Sequence, residues 1–143
     1  MRTGSIALTI DSEFRNVFLV GLAVQSICAS IPLSEQSAYE MEMAVVEAVN
    51  NSIEQSCHNR AGHPITICMH LTVDRITFVI ADDGDTIMSL HAAPALEDSD
   101  TATMPPRERG RGVQIIRALM DEVAYRTEGT SNILTMVKYL PVA

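Results

Sequence analysis

The chain has few aromatic residues and no tryptophan: phenylalanine and tyrosine together make up 4% of its 143 residues. Hydrophobic residues nevertheless account for 47%, which is too high a fraction for a disordered chain. We therefore expect a core of mainly aliphatic side chains, with methionine, Met43 included, filling its gaps. A chain of this length fits one domain with a sizeable core.

Positive charge is also scarce. Ten Lys and Arg stand against 18 Asp and Glu, for a net charge of −8. A protein that binds nucleic acid non-specifically needs a basic surface to displace counterions from the phosphates, so we expect no direct nucleic-acid partner. The one local basic cluster, formed by Arg107, Arg109 and Arg111, suits a nucleotide phosphate equally well.

Cysteines are few. Cys28, Cys57 and Cys68 show no C-x-x-C spacing, which argues against a disulfide framework or a zinc site. Cys28 is read as a small buried hydrophobic residue.

Long apolar runs are missing as well. Asp11 and Glu13 interrupt the start of the chain, as they would not in a signal peptide. The longest apolar stretch, residues 17–31, is too short to span a bilayer. These observations predict a cytoplasmic protein with no membrane partner.

The spacing of apolar residues predicts three helices and five strands. Strands are expected at 5–10, 65–71, 76–81, 123–127 and 132–140, and helices from Asp11 or Ser12 to about Ser30, from about Glu35 to Cys57 after a Ser34 cap, and from Gly112. An alternating hairpin needs one buried face, so the expected fold is a two-layer α/β (α+β) sandwich. Its sheet is mixed and mainly antiparallel, with helices on one face.

Residues 88–109 lack any usable period and contain three prolines. A structureless stretch of this length is typical of a lid, a binding loop or disorder, and we interpret it as a lid. We find no repeat and no linker, so we expect one domain over residues 1–143.

Glu47 and Asn51 are the first candidate functional pair. They lie one helical turn apart, on the edge of the apolar stripe of the second helix, whereas Asn50 points almost directly away from that stripe and should be mostly solvated. Glu47 could act as a general base, and Asn51 could supply one oxygen to Mg²⁺, which needs few protein ligands. Taken alone, such a pair is more typical of a solvated helix flank.

Two glycine-containing motifs follow. Asp82 and Gly84 come at the end of a predicted buried strand, where a carboxylate can accept a hydrogen bond from a base amine and glycine permits close approach. Gly110 and Gly112 precede a helix, whose first N–H groups can bind phosphate. Taken alone, Asp82 and Gly84 are more typical of an ordinary turn, and Gly110 and Gly112 are a weak signal of a phosphate site.

The order of these motifs resembles the GHKL ATPase superfamily, which has the Bergerat fold. Within this superfamily the chain more closely resembles the small bacterial anti-sigma factor serine kinases of the RsbW and SpoIIAB type, and the resemblance covers nearly the whole chain. Their N-box is similar to VVEAVNNSI, which implies that Glu47 is the catalytic base and Asn51 the Mg²⁺ ligand. Their G1 box is similar to IADDGDTI, which implies that Asp82 reads adenine beside Gly84.

The G2 box of these kinases is similar to RGRGVQIIRALMDEV. This resemblance implies that Gly110 and Gly112 bind the phosphates, with Arg109 and Val113 beside them. The family's late G-T element matches Gly129-Thr130, which implies a nucleotide contact from Thr130.

Two departures from the family pattern bear on activity. Thr86 stands where the G1 box has its second glycine, and Gln55 and Ser56 stand where a histidine and a glycine often follow the N-box. Kinase activity is therefore less firmly implied than ATP binding.

The resemblance implies an ATP- and Mg²⁺-dependent protein serine/threonine kinase. Its implied partners are a sigma factor, which it holds, and a STAS-type anti-anti-sigma protein, which it phosphorylates. A homodimer is also implied, with the first strand and helix as the expected interface. The alternatives are a non-catalytic binding module of the same fold and, last, the catalytic half of a split histidine kinase, for which no H-box helix is present.

Overall fold

The computed structural model describes residues 3–88 and 111–141. The elements in chain order are β1 (Gly4–Asp11), α1 (Val17–Cys28), α2 (Glu35–Asn51), β2 (Pro64–Leu71), β3 (Arg75–Asp82), α3 (Arg111–Leu119), β4 (Glu122–Glu128) and β5 (Ser131–Tyr139). A single 3₁₀ turn (Phe14–Asn16) precedes α1, and a π-helical segment (Ser52–Ser56) follows α2.

The five strands form one sheet in the order β1-β2-β3-β5-β4, and each neighbouring pair is antiparallel. Alternate residues of β2, β3 and β5 are buried, and they join residues of all three helices in one hydrophobic cluster. Residues on the other face are partly or fully exposed, except Val137 of β5, which is 7% exposed. The predicted two-layer sandwich with helices on one face is therefore confirmed, with every described pairing antiparallel rather than mixed.

The core is aliphatic, as the composition predicts. All three phenylalanines and three tyrosines lie in the described parts of the chain, and among them Phe78 alone is fully buried. Met41 and Met136 are also fully buried, but Met43 is 41% exposed. The prediction that Met43 fills the core is wrong, because it lies on the side of α2 that faces away from the cluster.

The first helix begins later than the sequence predicts. Asp11 is the last residue of β1 and pairs with Pro64. The Ser12 hydroxyl donates to the carbonyl of Arg60 at 2.5 Å and accepts from the backbone N–H of His63. These contacts attach the strand end to the loop before β2, so neither residue caps a helix.

In the described ranges, no helix is long and apolar enough to cross a bilayer.

The second helix begins as predicted and ends differently. The Ser34 hydroxyl accepts a hydrogen bond from the N–H of Ser37 at 3.0 Å, which is a helix cap. Regular α-helix stops at Asn51, and the chain widens into the π-helical segment, where the N–H of Cys57 donates to the carbonyl of Ser52. Such widened turns are frequent at functional sites, and here the wider turn brings two serines to the end of β3.

Candidate functional site

The last two turns of α2 present Glu47 and Asn51. Asn51 is 6% exposed and Glu47 is half-buried. Within the described parts of the chain, neither side chain has a hydrogen-bond or ion-pair partner. Although Asn51 is nearly buried, its amide is not among the described polar atoms that are sealed from solvent without a partner, so it stays open to a ligand. Asn50, expected to be mostly solvated, is half-buried.

Asp82 is linked to the end of α2, because Ser52, which follows Asn51, bonds to it. The Asp82 carboxylate is 6% exposed and accepts hydrogen bonds from the Ser52 hydroxyl at 2.8 Å and from the Ser56 hydroxyl. It also accepts from the backbone N–H of Gly84 at 2.9 Å. All these donors are neutral. Toward all of them the Asp82 carboxylate is the acceptor.

Gly84 is required by a close approach between two backbone segments. A Cβ at this position would lie 2.6 Å from the carbonyl carbon of Ser56 and closer still to its oxygen. The same Ser56 carbonyl accepts a hydrogen bond from the N–H of Asp85 at 2.8 Å. The residue that approaches the Gly84 backbone is therefore Ser56 of the π-helical segment, which gives this glycine a packing role whatever ligand binds.

A residue of β5 completes the surroundings of Asp82. Asn132 pairs with Asp82 across the sheet and is 1% exposed. Its amide nitrogen donates to the Asp82 carboxylate at 2.9 Å. Ser52 and Asn132 were not predicted from the sequence, and Ser56 stood out only as a departure from the family pattern, not as a site residue. The available signals were two serines four residues apart after Asn51, and a polar residue at an inward position of β5.

The segment after Gly84 is tied to β4 and β5. The Thr86 hydroxyl donates to the Asn132 amide oxygen at 3.2 Å, and the N–H of Ile87 donates to the hydroxyl of Tyr125 at 3.0 Å. Burial, and to a lesser degree the nearby Asp82 charge, raise the pKa of Tyr125. Its hydroxyl is thus kept protonated, and the chain leaving the site is held against the sheet.

The acidic turn at the end of β3, residues 82–85, also affects the buried thiol of Cys57. Burial, followed by the charges of Asp82 and Asp83, raises the pKa of Cys57 to about 11. At neutral pH this thiol is protonated and unreactive.

Two histidines of the neighbouring loop pair with the acidic turn: His58 contacts Asp85 at 2.6 Å, and His63 contacts Asp83 at 3.1 Å. These exposed pairs attach that loop to the turn.

The remaining predicted site residues lie at the start of α3, at the β4–β5 turn, or outside the described residues. Gly112 lies in the first turn of α3, which packs against α2, and Val113 is buried in the core. Thr130 is exposed beside Gly129 at the β4–β5 turn. The β5 residue that contacts Asp82 is instead Asn132, two positions later. Arg109 and Gly110, with nearly all of the expected lid at 88–109, lie outside the described residues.

A model of the histidine kinase-like ATPase domain matches residues 10–138 of this chain. That range includes every residue of the site described above. The solved structure of the Acinetobacter baumannii histidine kinase AdeS superposes with a TM-score of 0.50, covering 97% of this chain and 68% of that chain at 16% identity. At such low identity this likeness shows the fold alone.

Curated relatives that match 94% of this chain are serine-protein kinases. The chain is 27% identical over 141 residues to the serine-protein kinase RsbW of Staphylococcus epidermidis, covering 94% of this chain and 86% of that protein. RsbW of Listeria innocua is 26% identical over 140 residues. RsbW of Staphylococcus aureus is 27% identical over 140 residues.

Proposed function

Because the chain belongs to the histidine kinase-like ATPase domain family, we propose that it is an ATP-dependent protein serine/threonine kinase and anti-sigma factor. The observation that carries the proposal is the pair Glu47 and Asn51, which has no described partner and lies on the helix whose next residue, Ser52, bonds to Asp82. The similarity to RsbW serine-protein kinases over 94% of the chain supports the enzyme class.

In this proposal the nucleotide lies between the end of α2 and the start of α3. Asp82 accepts a hydrogen bond from the base amine, while Gly110, Gly112 and Arg109 bind the phosphates. The buried amide of Asn51 fits Mg²⁺, since a hard oxygen is the ligand that this ion takes, together with water and phosphate oxygens. The bound ion would neutralise phosphate charge during transfer.

Glu47 is the proposed catalytic base. It lies one turn before Asn51 on the same side of α2, half-buried and without a described ion-pair partner. From there it accepts the proton of a substrate serine hydroxyl as that oxygen attacks the terminal phosphate. Positioning supplies most of the acceleration in phosphoryl transfer, so the base contributes only part of it.

The proposed partners follow the resemblance to anti-sigma kinases. A STAS-type anti-anti-sigma protein would be the phosphorylated substrate, a sigma factor would be the sequestered protein, and the circuit would be cytoplasmic. We also propose a homodimer through β1 and α1. Support comes from the outer edge of β1, which pairs with no described strand, and from exposed apolar side chains on these elements and the turn between them, namely Ile6, Phe14, Phe18, Leu19 and Leu22.

The test is single-turnover transfer of radiolabelled phosphate from ATP to the cognate STAS protein. Glu47→Gln and Glu47→Ala should slow transfer by about 10²–10⁴-fold, the usual contribution of a general base. ATP affinity should change little, because Glu47 is not placed on the nucleotide. Glu40→Gln is the matched control, since Glu40 lies on α2 two turns earlier and bonds to Gln36.

Three outcomes separate the possibilities. Phosphoserine that depends on Glu47 supports the proposal. Wild-type rates in Glu47→Ala would remove Glu47 as the base while leaving the kinase. Tight ATP and partner binding with no transfer by the wild-type chain would favour a non-catalytic binding module, an alternative that Thr86 at the second glycine position of the G1 box makes worth testing.

A further inference from the structure

Asn132 has every hydrogen-bonding position of its side chain occupied. The two amide hydrogens point to the Asp82 carboxylate at 2.9 Å and the Gly84 carbonyl at 2.8 Å. The amide oxygen accepts from the hydroxyls of Thr86 at 3.2 Å and Thr127 at 3.3 Å. A flipped amide would put its oxygen against a carboxylate and a carbonyl, so only this orientation satisfies the network.

This fixed amide makes the two oxygens of Asp82 unequal. Oδ1 accepts from the Ser56 hydroxyl, the Gly84 N–H and the Asn132 amide, which fills its lone pairs. Oδ2 accepts from Ser52 alone among the described residues. Since a carboxylate oxygen accepts about two hydrogen bonds, one position on Oδ2 is left for a ligand. The donors on Oδ1 also prevent rotation of the carboxylate.

We propose that Asn132 is the positioning residue that directs Oδ2 of Asp82 at the base, and so sets a preference for a 6-aminopurine over a 6-oxopurine nucleotide. This inference rests on the proposed ATP site. An exocyclic amine donates to the open position on Oδ2. A carbonyl at the same place brings two acceptors together, so the open position on Oδ2 stays without a donor and the two oxygens repel each other.

Two of the three residues that depart from the family pattern, Thr86 and Ser56, belong to this same network. Thr86 donates to the amide oxygen of Asn132, and the hydroxyl of Ser56 lies 3.2 Å from its nitrogen. Thr130, which the resemblance implies at the nucleotide, lies exposed at the turn. The positioning role therefore falls to Asn132, supported by two hydroxyls of this chain.

The experiment measures binding of ATP and inosine triphosphate, which differ at the purine 6-position, by calorimetry with Mg²⁺. The wild-type chain should bind ATP more tightly. Asn132→Ala should weaken ATP binding by roughly 10- to 100-fold, the range for a lost hydrogen bond involving a charged group, and leave inosine triphosphate within about threefold. Asn132→Ser, which keeps a small donor, should restore part of the ATP preference.

Thr135→Ala is the matched control, because Thr135 lies on β5 with its side chain on the opposite face from Asn132. It should leave the ratio of the two affinities at its wild-type value. If Asn132→Ala fails to fold, Thr86→Val takes its place; it removes one of the two donors to the amide oxygen and should reduce the ratio less strongly.

The remaining outcomes count against the inference in different ways. If Asn132→Ala weakens both nucleotides equally, or keeps the wild-type ratio, Asn132 does not position Asp82 and the ATP site stands. If the wild-type chain binds the two nucleotides equally, Asp82 does not read the amine. If it binds neither, the proposed function itself fails, and this inference fails with it.

Discussion

Replacing Gly84 with alanine should destabilise the protein strongly, because the new methyl group would enter occupied space. The Cβ would lie 2.6 Å from the carbonyl carbon of Ser56 and nearer still to its oxygen, whereas ordinary contact begins at 3.4 Å, so one segment must move by more than 0.8 Å. The obstacle is backbone, which cannot turn aside as a flexible side chain can. The Asp85–Ser56 backbone hydrogen bond at 2.8 Å would also be lost.

The magnitude follows from these two effects. Overpacking costs about 1–3 kcal/mol and a lost hydrogen bond about 1 kcal/mol, so the free energy of unfolding should fall by roughly 2–4 kcal/mol. At about 4 °C per kcal/mol for a chain of this size, the melting temperature should fall by roughly 8–16 °C. Calorimetry or circular dichroism on heating measures this shift.

Two other glycines provide controls. A Cβ at Gly4 would meet nothing within 4 Å, so Gly4→Ala should leave the melting temperature nearly unchanged. A Cβ at Gly21 would make ordinary contacts at 3.5 Å inside α1, so Gly21→Ala should stabilise the chain by about 1 kcal/mol. A Gly84→Ala melting temperature within about 2 °C of the wild type would refute the packing argument, since such a change is below about 1 kcal/mol.

Two predictions concern binding. Asp82→Asn should weaken ATP binding by about 10- to 100-fold, because the amide group would turn its N–H₂ toward the Ser52 hydroxyl and the base amine. Calorimetry measures the affinity, and an unchanged value would show that Asp82 does not belong to the site. Leu22→Glu should dissociate the proposed homodimer, because a charge would replace a side chain that is 54% exposed in the single chain. Light scattering at high concentration measures this, and a wild-type monomer would contradict the dimer.

The sequence by itself determined the parts of the fold that depend on local pattern. Alternation in β2 and β3 specified a one-sided sheet, and Ser34 specified the start of α2, because burial period and capping are decided within a few residues. The same periodicity indicated that Glu47 and Asn51 share one side of α2 at the edge of its buried stripe.

Only the tertiary structure decided which side chains surround Asp82. Asn132 is 50 residues from it in the chain and reaches it because β5 pairs with β3. Ser56 reaches it because α2 ends in a π-helical turn, and that turn makes Gly84 indispensable. Ser12 does not cap a helix as the sequence predicts, because it binds the loop before β2 through residues 48 and 51 positions away. Such contacts depend on strand register and on the distance between backbones, which no local window of sequence contains.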